Sequence, residues 1–167
     1  MKVGVYPGSF DPMTLGHLDI AERGSAIVDK LVIGVLENSS KKPMFTVDER
    51  VRMLREGTKH LSNVEVRPFS GLLVDFLRSQ KATIVVRGLR AVSDFEYELQ
   101  LAQANRNLYP DMETVFLCTN AQYSFISSTV VKDILHHGGD VGHFVPNDVI
   151  EIIKEIRRNE NGSSDGN

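Results

Sequence analysis

Short apolar runs alternate with amphipathic stretches along the chain, and that alternation predicts strands separated by helices. Val3-Gly-Val-Tyr6 reads as a first strand ended by Pro7-Gly8, with a helix over residues 15–27. Leu31-Val-Ile-Gly-Val-Leu36 reads as a second strand and residues 37–45 as a polar loop. Thr46-Val-Asp-Glu49 has the spacing of a capping box and opens a helix reaching about residue 60. A third strand over 64–67 and a short helix over 72–79 follow. Thr83-Ile-Val-Val86 reads as a buried fourth strand stopped by Arg87-Gly88. A second box, Ser93-Asp-Phe-Glu96, predicts a helix from there to 108 and assigns Glu96 a capping role. Thr114-Val-Phe-Leu-Cys118 reads as a fifth strand, and Ser127 as the cap of a helix ending at Gly138-Gly139. Pro146 opens a last helix to about residue 158, and the polar, Gly/Ser-rich residues 159–167 read as a disordered tail.

Strands alternating with helices predict βαβ units and a doubly wound parallel five-stranded α/β sheet, in one domain spanning 1–158. In such sheets ligands bind beyond the carboxyl ends of the strands, where the strand order reverses. The turns after strands 1, 2, 4 and 5 are therefore the places to look for chemistry.

Composition narrows the classes. The chain has 167 residues, 41% hydrophobic and 25% charged, ordinary for a globular protein that buries its own core. Its single cysteine, Cys118, excludes a disulfide framework or a cysteine zinc site and fits a reducing compartment. No apolar run is long enough to span a membrane, and the first residues lack the apolar region of a signal peptide. A cytoplasmic protein is expected. The net charge of −3 gives no global basic footprint for nucleic acid.

Local clusters still fit a small anion. The turn from Tyr6 to His17 has neither the GxGxxG nor the GxxxxGK[ST] spacing, yet it is Gly-rich, carries Ser9 and enters a helix N-terminus. Backbone N–H groups and the helix dipole there favour phosphate, and the His17 imidazole is placed to donate to it. A plain capped helix start fits the same residues. Lys41, in Glu37-Asn-Ser-Ser-Lys-Lys-Pro43, is either a phosphate contact or part of a solvated basic loop. Arg87 and Arg90, flanking Gly88 and Leu89 where a strand leaves the sheet, suit bidentate phosphate recognition. Ser127, Ser128 and Thr129 offer a second helix start, for an anion or merely for a cap. No His pair has metal-ligand spacing, and no GxSxG elbow occurs. Cys118 reads as a packing residue.

Together these place a His, a Lys, two Arg and two helix starts at one end of one sheet. That is a phosphate-handling site without an activated nucleophile. It suits a reaction whose attacking group is already an anion.

Thr14-Leu-Gly-His17 resembles the [HT]xGH motif of the nucleotidyltransferase superfamily, which has a Rossmann-like fold. With YPGSFDP, SKKPMFT followed by DER, VVRGLRAVSDFEYE and SFISST, residues 3–156 resemble the bacterial phosphopantetheine adenylyltransferases. The resemblance implies transfer of the adenylyl group of ATP to 4′-phosphopantetheine with Mg²⁺, giving dephospho-coenzyme A and pyrophosphate. It implies that His17 stabilises the α-phosphate and that His17, Lys41 and Arg90 act at the transition state. Ser9, Lys41, Leu73 and Arg87 would bind the acceptor. Ser9, Phe10, Gly88, Leu89, Arg90 and Glu98 would bind ATP, the nucleotide being flanked by Tyr123, Ser124 and Phe125 and then by Ile126, Ser127, Ser128 and Thr129. No protein metal ligand is implied, Mg²⁺ being held by ATP phosphates. The family forms homohexamers. Ser9 stands where Thr is common, keeping the hydroxyl without the methyl. A cytidylyltransferase or another adenylyltransferase of this fold, or a non-catalytic nucleotide sensor, remains the competing expectation.

Overall fold

The computed structural model describes residues 1–37 and 42–164. Five parallel strands, β1 (Val3–Gly8), β2 (Lys30–Leu36), β3 (Val64–Phe69), β4 (Ile84–Leu89) and β5 (Glu113–Cys118), form one sheet in the order β3-β2-β1-β4-β5. They are joined by α1 (Leu15–Ser25), α2 (Val47–Gly57), α3 (Leu73–Ser79) and α4 (Val92–Leu108). A 3-10 turn (Ala121–Tyr123), α5 (Ser128–His136) and α6 (Asn147–Ser164) complete the chain. The order reverses between β1 and β4, so the doubly wound α/β architecture has its crevice above those two strands.

The central strands β1 and β2 are apolar because both their faces are covered, whereas the edge strand β3 carries Glu65 and Arg67 and β5 has exposed ends. On β2, Leu31, Ile33 and Val35 enter a large core with α1, α2, α5 and α6, while Val32 faces a smaller core with Val74, Phe76 and Leu77 of α3. The Thr46–Glu49 box forms: the Glu49 amide donates to Thr46 Oγ1 (3.3 Å) and the Thr46 amide to Glu49 Oε2 (2.8 Å).

Several boundaries differ from those the sequence predicts. β1 runs through Pro7 and Gly8, which pair with Gly34 and Val35 of β2. β4 does not stop at Arg87-Gly88 but continues to Leu89, because β5 offers partners as far as Cys118 and the missing Gly88 side chain admits Ile20; a Cβ there would lie 2.9 Å from Ile20. The longer strand leaves only Arg90 and Ala91 before α4, so that helix opens at Val92 behind Ala91 without a side-chain cap. The cap position therefore falls on Ala91 and not on Ser93, which lies inside the helix. α2 ends at Gly57, short of residue 60. α6 continues to Ser164, so residues 159–164 are helix where a disordered tail was expected. A helix already anchored by Ile152 and Ile153 extends at little cost per residue, and one Gly162 costs only about 1 kcal/mol.

Candidate functional site

The turn after β1 forms the floor of the crevice. Phe10 has φ of +49°, a left-handed conformation costing a non-glycine residue about 1 kcal/mol or more. Its buried ring meets Tyr6 (5.2 Å) and His17 (5.0 Å) edge to face. Gly8 is required beneath it, since a Cβ would lie 2.9 Å from the ring.

Thr14 caps α1, and His17 takes the place of the usual Glu in a capping box. The His17 amide donates to Thr14 Oγ1 (3.3 Å), and the Thr14 amide donates to His17 Nδ1 (3.0 Å). A ring nitrogen that accepts from an amide carries no proton, so the neutral imidazole keeps its proton on Nε2. Burial, followed by the charges of Arg90 and Arg87, lowers the His17 pKa to about 4. At neutral pH His17 is an uncharged Nε2–H donor.

A cleft of about 700 Å³ opens above the β1/β4 reversal. Its described lining carries five cations, Lys42, Arg50, Arg87, Arg90 and Lys132, and one carboxylate, Asp11. That carboxylate is already engaged. Asp11 Oδ1 accepts from the Phe45 amide (2.9 Å), and Oδ2 from the Met44 amide (2.9 Å) and Lys132 Nζ (3.1 Å). Such a cleft is built for a polyanion.

Most of the expected site residues converge here. Ser9, Phe10, His17, Arg87, Gly88 and Arg90 line the cleft, as do Ile126, Ser127, Ser128 and Thr129. Arg87 donates through Nε to Glu98 Oε2 (2.7 Å) and through Nη1 to the Pro7 carbonyl (2.8 Å), with a second contact from Nη2 to Glu98 Oε1. Glu98 is thus turned to Arg87 and is not itself in the lining. Arg90 donates to the Ile126 carbonyl (3.1 Å) and pairs with Asp94 (3.4 Å), tying the β4 end to the loop before α5. The Ser127 hydroxyl accepts from the Val130 amide (3.2 Å) and that of Ser128 donates to the Pro12 carbonyl (2.8 Å), so both shape the helix start.

Others lie apart. Leu89 ends β4 opposite Cys118. Leu73 packs on the smaller core and does not line the cleft. Tyr123, Ser124 and Phe125 also fall outside the lining, Phe125 being 65% exposed and edge-on to Phe144 at 6.3 Å. Lys41 lies outside the described residues. Sequence reasoning missed Asp11, Arg50 and Lys132 as cleft residues. Lys132 carried a faint signal: four positions after Ser128, it shares that residue's face of α5.

Comparison with known proteins agrees with this geometry. A family model described as cytidylyltransferase-like matches residues 5–134. A phosphopantetheine adenylyltransferase of Lachnoclostridium phytofermentans is 55% identical over 153 residues, 92% of this chain and 94% of its own. One from Clostridium botulinum (strain Eklund 17B) is 54% identical over 160 residues, 96% and 99% of the two chains. A crystal structure from Vibrio parahaemolyticus, provisionally assigned as a nicotinate-nucleotide adenylyltransferase, superposes with a TM-score of 0.71 over 93% of both chains. At 18% identity it speaks for the fold alone. With full-length relatives at this identity, and the motif residues gathered at one switch-point cleft, the chain belongs to the phosphopantetheine adenylyltransferases of the cytidylyltransferase-like nucleotidyltransferase superfamily.

Proposed function

We propose that this chain transfers the adenylyl group of ATP to 4′-phosphopantetheine, releasing dephospho-coenzyme A and pyrophosphate, a step of coenzyme A biosynthesis. The observation that carries this reading is the 54–55% identity to phosphopantetheine adenylyltransferases across nearly the whole chain. The cleft chemistry supports it. An oxygen of the phosphate monoester attacks the α-phosphorus in line, and the bond from that phosphorus to the bridging oxygen breaks. Pyrophosphate leaves with the electron pair. The attacking oxygen is already anionic, so no base has to remove a proton, and the cleft offers positioning and charge instead.

In this mechanism the His17 Nε2–H donates to the α-phosphate oxygens as charge builds there. Lys41, Arg87 and the Ser9 hydroxyl hold the acceptor phosphate. Arg90 and the Ile126–Thr129 segment hold the nucleotide and its phosphates, with Phe10 and Gly88 along it. Leu89 and Glu98 contribute from behind these residues. Tyr123, Ser124 and Phe125 flank the nucleotide from the exposed loop beside the cleft, and Leu73, outside the lining, is assigned to the pantetheine arm by the family resemblance. Mg²⁺ carried by the triphosphate would supply charge neutralisation for the pyrophosphate. Asp11, the single described carboxylate in the lining, is already engaged by two amides and Lys132, which supports a metal held by the substrate's phosphates.

The proposal extends to a cytoplasmic homohexamer. Among the described residues no helix is long and apolar enough to cross a membrane. α4 exposes Tyr97 (62%), Leu101 (37%) and Leu108 (52%) along one face, an apolar surface of the kind that subunit contacts cover. The experiment is pyrophosphate release with Mg²⁺, comparing ATP plus 4′-phosphopantetheine with CTP plus glycerol 3-phosphate. Release in the first mixture alone, with dephospho-coenzyme A formed, is expected. Release in the second alone would overturn the substrate assignment, and silence in both would overturn the activity. Light scattering on the same sample tests the hexamer.

A further inference from the structure

Arg50 is a charged residue of α2, only 2% exposed, at the wall of the cleft. Its Nε donates to the Phe45 carbonyl (3.1 Å), and its Nη1 donates to the carbonyls of Ser9 (2.7 Å) and Leu36 (3.1 Å). Among the described residues no carboxylate pairs with it. Asp11 and Glu37 act on it only through space, and burial pulls its pKa below the ordinary arginine value. A guanidinium buried without an acid partner is costly, and what it does here is geometric. The planar fork holds three carbonyls at fixed spacing, which an ammonium cannot do.

Those carbonyls belong to three separate stretches. Ser9 is in the turn after β1, Leu36 is the last residue of β2, and Phe45 stands just before the Thr46 cap of α2. Phe45 is gripped from its other side as well, since its amide donates to Asp11 (2.9 Å). Both ends of the 37–44 segment and the Ser9 turn are therefore tied to one side chain. Lys42, within that segment, lines the cleft.

We propose that Arg50 is a positioning residue for the acceptor phosphate: it fixes the Ser9 turn and both ends of the 37–44 segment relative to each other, and leaves the Arg90 and α5 side of the cleft unaffected. The inference rests on the adenylyl transfer proposed above and goes beyond it by separating the two substrates. Among the described residues Arg50 makes no hydrogen bond to β4, β5 or α5, so the Arg90 and Ile126–Thr129 contacts to the nucleotide are left in place and its loss should be felt mainly by the acceptor.

The test compares Arg50→Lys and Arg50→Met with the wild type. The readouts are steady-state kinetics for 4′-phosphopantetheine, ATP binding measured by calorimetry in the absence of acceptor, and thermal unfolding. The expected result for Arg50→Lys is a loss on the order of 10–100-fold in kcat/KM for the acceptor, with the ATP Kd within about twofold of wild type. A general loosening of the fold would weaken both substrates together. That outcome, or an unchanged acceptor kcat/KM, overturns the proposal. Should either variant fail to fold, the wild type supplies a second readout, the NMR resonance of the buried Arg50 Nε–H. It is expected to shift more on adding 4′-phosphopantetheine than on adding ATP; the reverse, or no shift with either, overturns the proposal. If the wild type forms no dephospho-coenzyme A, the proposed function fails by itself, independently of any Arg50 variant.

Discussion

The Thr14 amide donates to Nδ1 of His17 at 3.0 Å, and the His17 amide donates to Thr14 Oγ1 at 3.3 Å. This reciprocal cap does at a helix start what Glu49 and Thr46 do at the next one, but with an imidazole in the carboxylate's place. The cap and the chemistry are one feature, because the bond that closes α1 also fixes the His17 tautomer. Protonating Nδ1 would set an N–H against the Thr14 N–H, opposing the charged form in addition to burial and the two arginines.

Direct observation of the ring tests this. Two-dimensional ¹⁵N NMR of the free protein at pH 7 is expected to show His17 neutral, protonated on Nε2 and titrating near 4. The sign for stability follows. In the unfolded chain His17 titrates near 6.5, so between 6.5 and 4 the unfolded state holds a proton that the folded state lacks. Stability from this group is complete above 6.5 and is lost as pH falls to 4, by up to ~3 kcal/mol. Urea unfolding at pH 7 and pH 4.5 should show the difference shrink in a His17→Gln variant. A His17 that titrates at 6.5 would remove the argument.

The same donor predicts a kinetic result. His17→Ala should lower kcat on the order of 10²–10³-fold, the cost of one donor aimed at developing charge, with a smaller change in ATP binding. A kcat equal to wild type would take His17 out of the mechanism.

Much of this was legible in the sequence. The alternation of apolar runs gives the five strands, because the central ones are buried on both faces and the edge strands β3 and β5 keep enough apolar positions to read as strands. The Thr46 box and the Ser127 cap are local devices that short windows reveal. The Ser93 box misled for a tertiary reason: β4 pairs with β5 as far as Leu89, which moves the helix start to Val92 whatever the local preference. His17, Arg87 and Arg90 are found because they sit at or just beyond the carboxyl ends of β1 and β4, where a parallel sheet presents its ligand-binding residues. Asp11, Arg50 and Lys132 are not, since their cleft roles depend on partners up to 121 residues away. Arg50 in particular reads as one more polar residue of an amphipathic helix.

Arg87 and Glu98 should behave as one unit. Glu98 is buried and its carboxylate holds the Arg87 guanidinium through two of its nitrogens, while Arg87 Nη1 holds the Pro7 carbonyl. Removing Glu98 frees Arg87 to move and leaves a half-buried cation without its counter-charge. Glu98→Gln is therefore expected to impair 4′-phosphopantetheine use by roughly the same factor as Arg87→Ala, and the double variant should be little worse than either. Kinetics across the full cycle measure this. Strictly additive losses would mean that Glu98 acts on a substrate directly and not through Arg87.

Gly16 presents a different case, because nothing inside the chain requires it. Its φ is not in the left-handed region, and a Cβ there would meet its nearest neighbour, Thr14 Oγ1, only at 3.6 Å. Gly16 lines the cleft, so its bare backbone serves whatever lies over it. Gly16→Ala should fold with unchanged or slightly raised Tm, since alanine favours a helix by up to about 1 kcal/mol. Its ATP Kd should rise on the order of 10-fold from steric contact. Calorimetry beside thermal unfolding separates the two effects, and an unchanged Kd would show that the nucleotide does not approach Gly16.

The two adjacent lysines give the last prediction. The family resemblance assigns the acceptor phosphate to Lys41, whereas Lys42 is the described lysine at the cleft wall, and it has no hydrogen-bond or ion-pair partner among the described residues. A lysine holding a dianionic phosphate acts as a point charge, so its loss should raise the acceptor KM and depend on salt, while a rim lysine contributes mainly steering. Lys41→Ala is expected to lower kcat/KM for 4′-phosphopantetheine on the order of 10²-fold with ATP binding nearly unchanged. Lys42→Ala should lower it by less than about 5-fold, an effect that fades at 0.5 M salt as the Debye length shrinks to a few ångströms. If the larger loss instead follows Lys42, then the acceptor phosphate sits at the described wall beside Pro43, and the assignment to Lys41 is displaced by one residue.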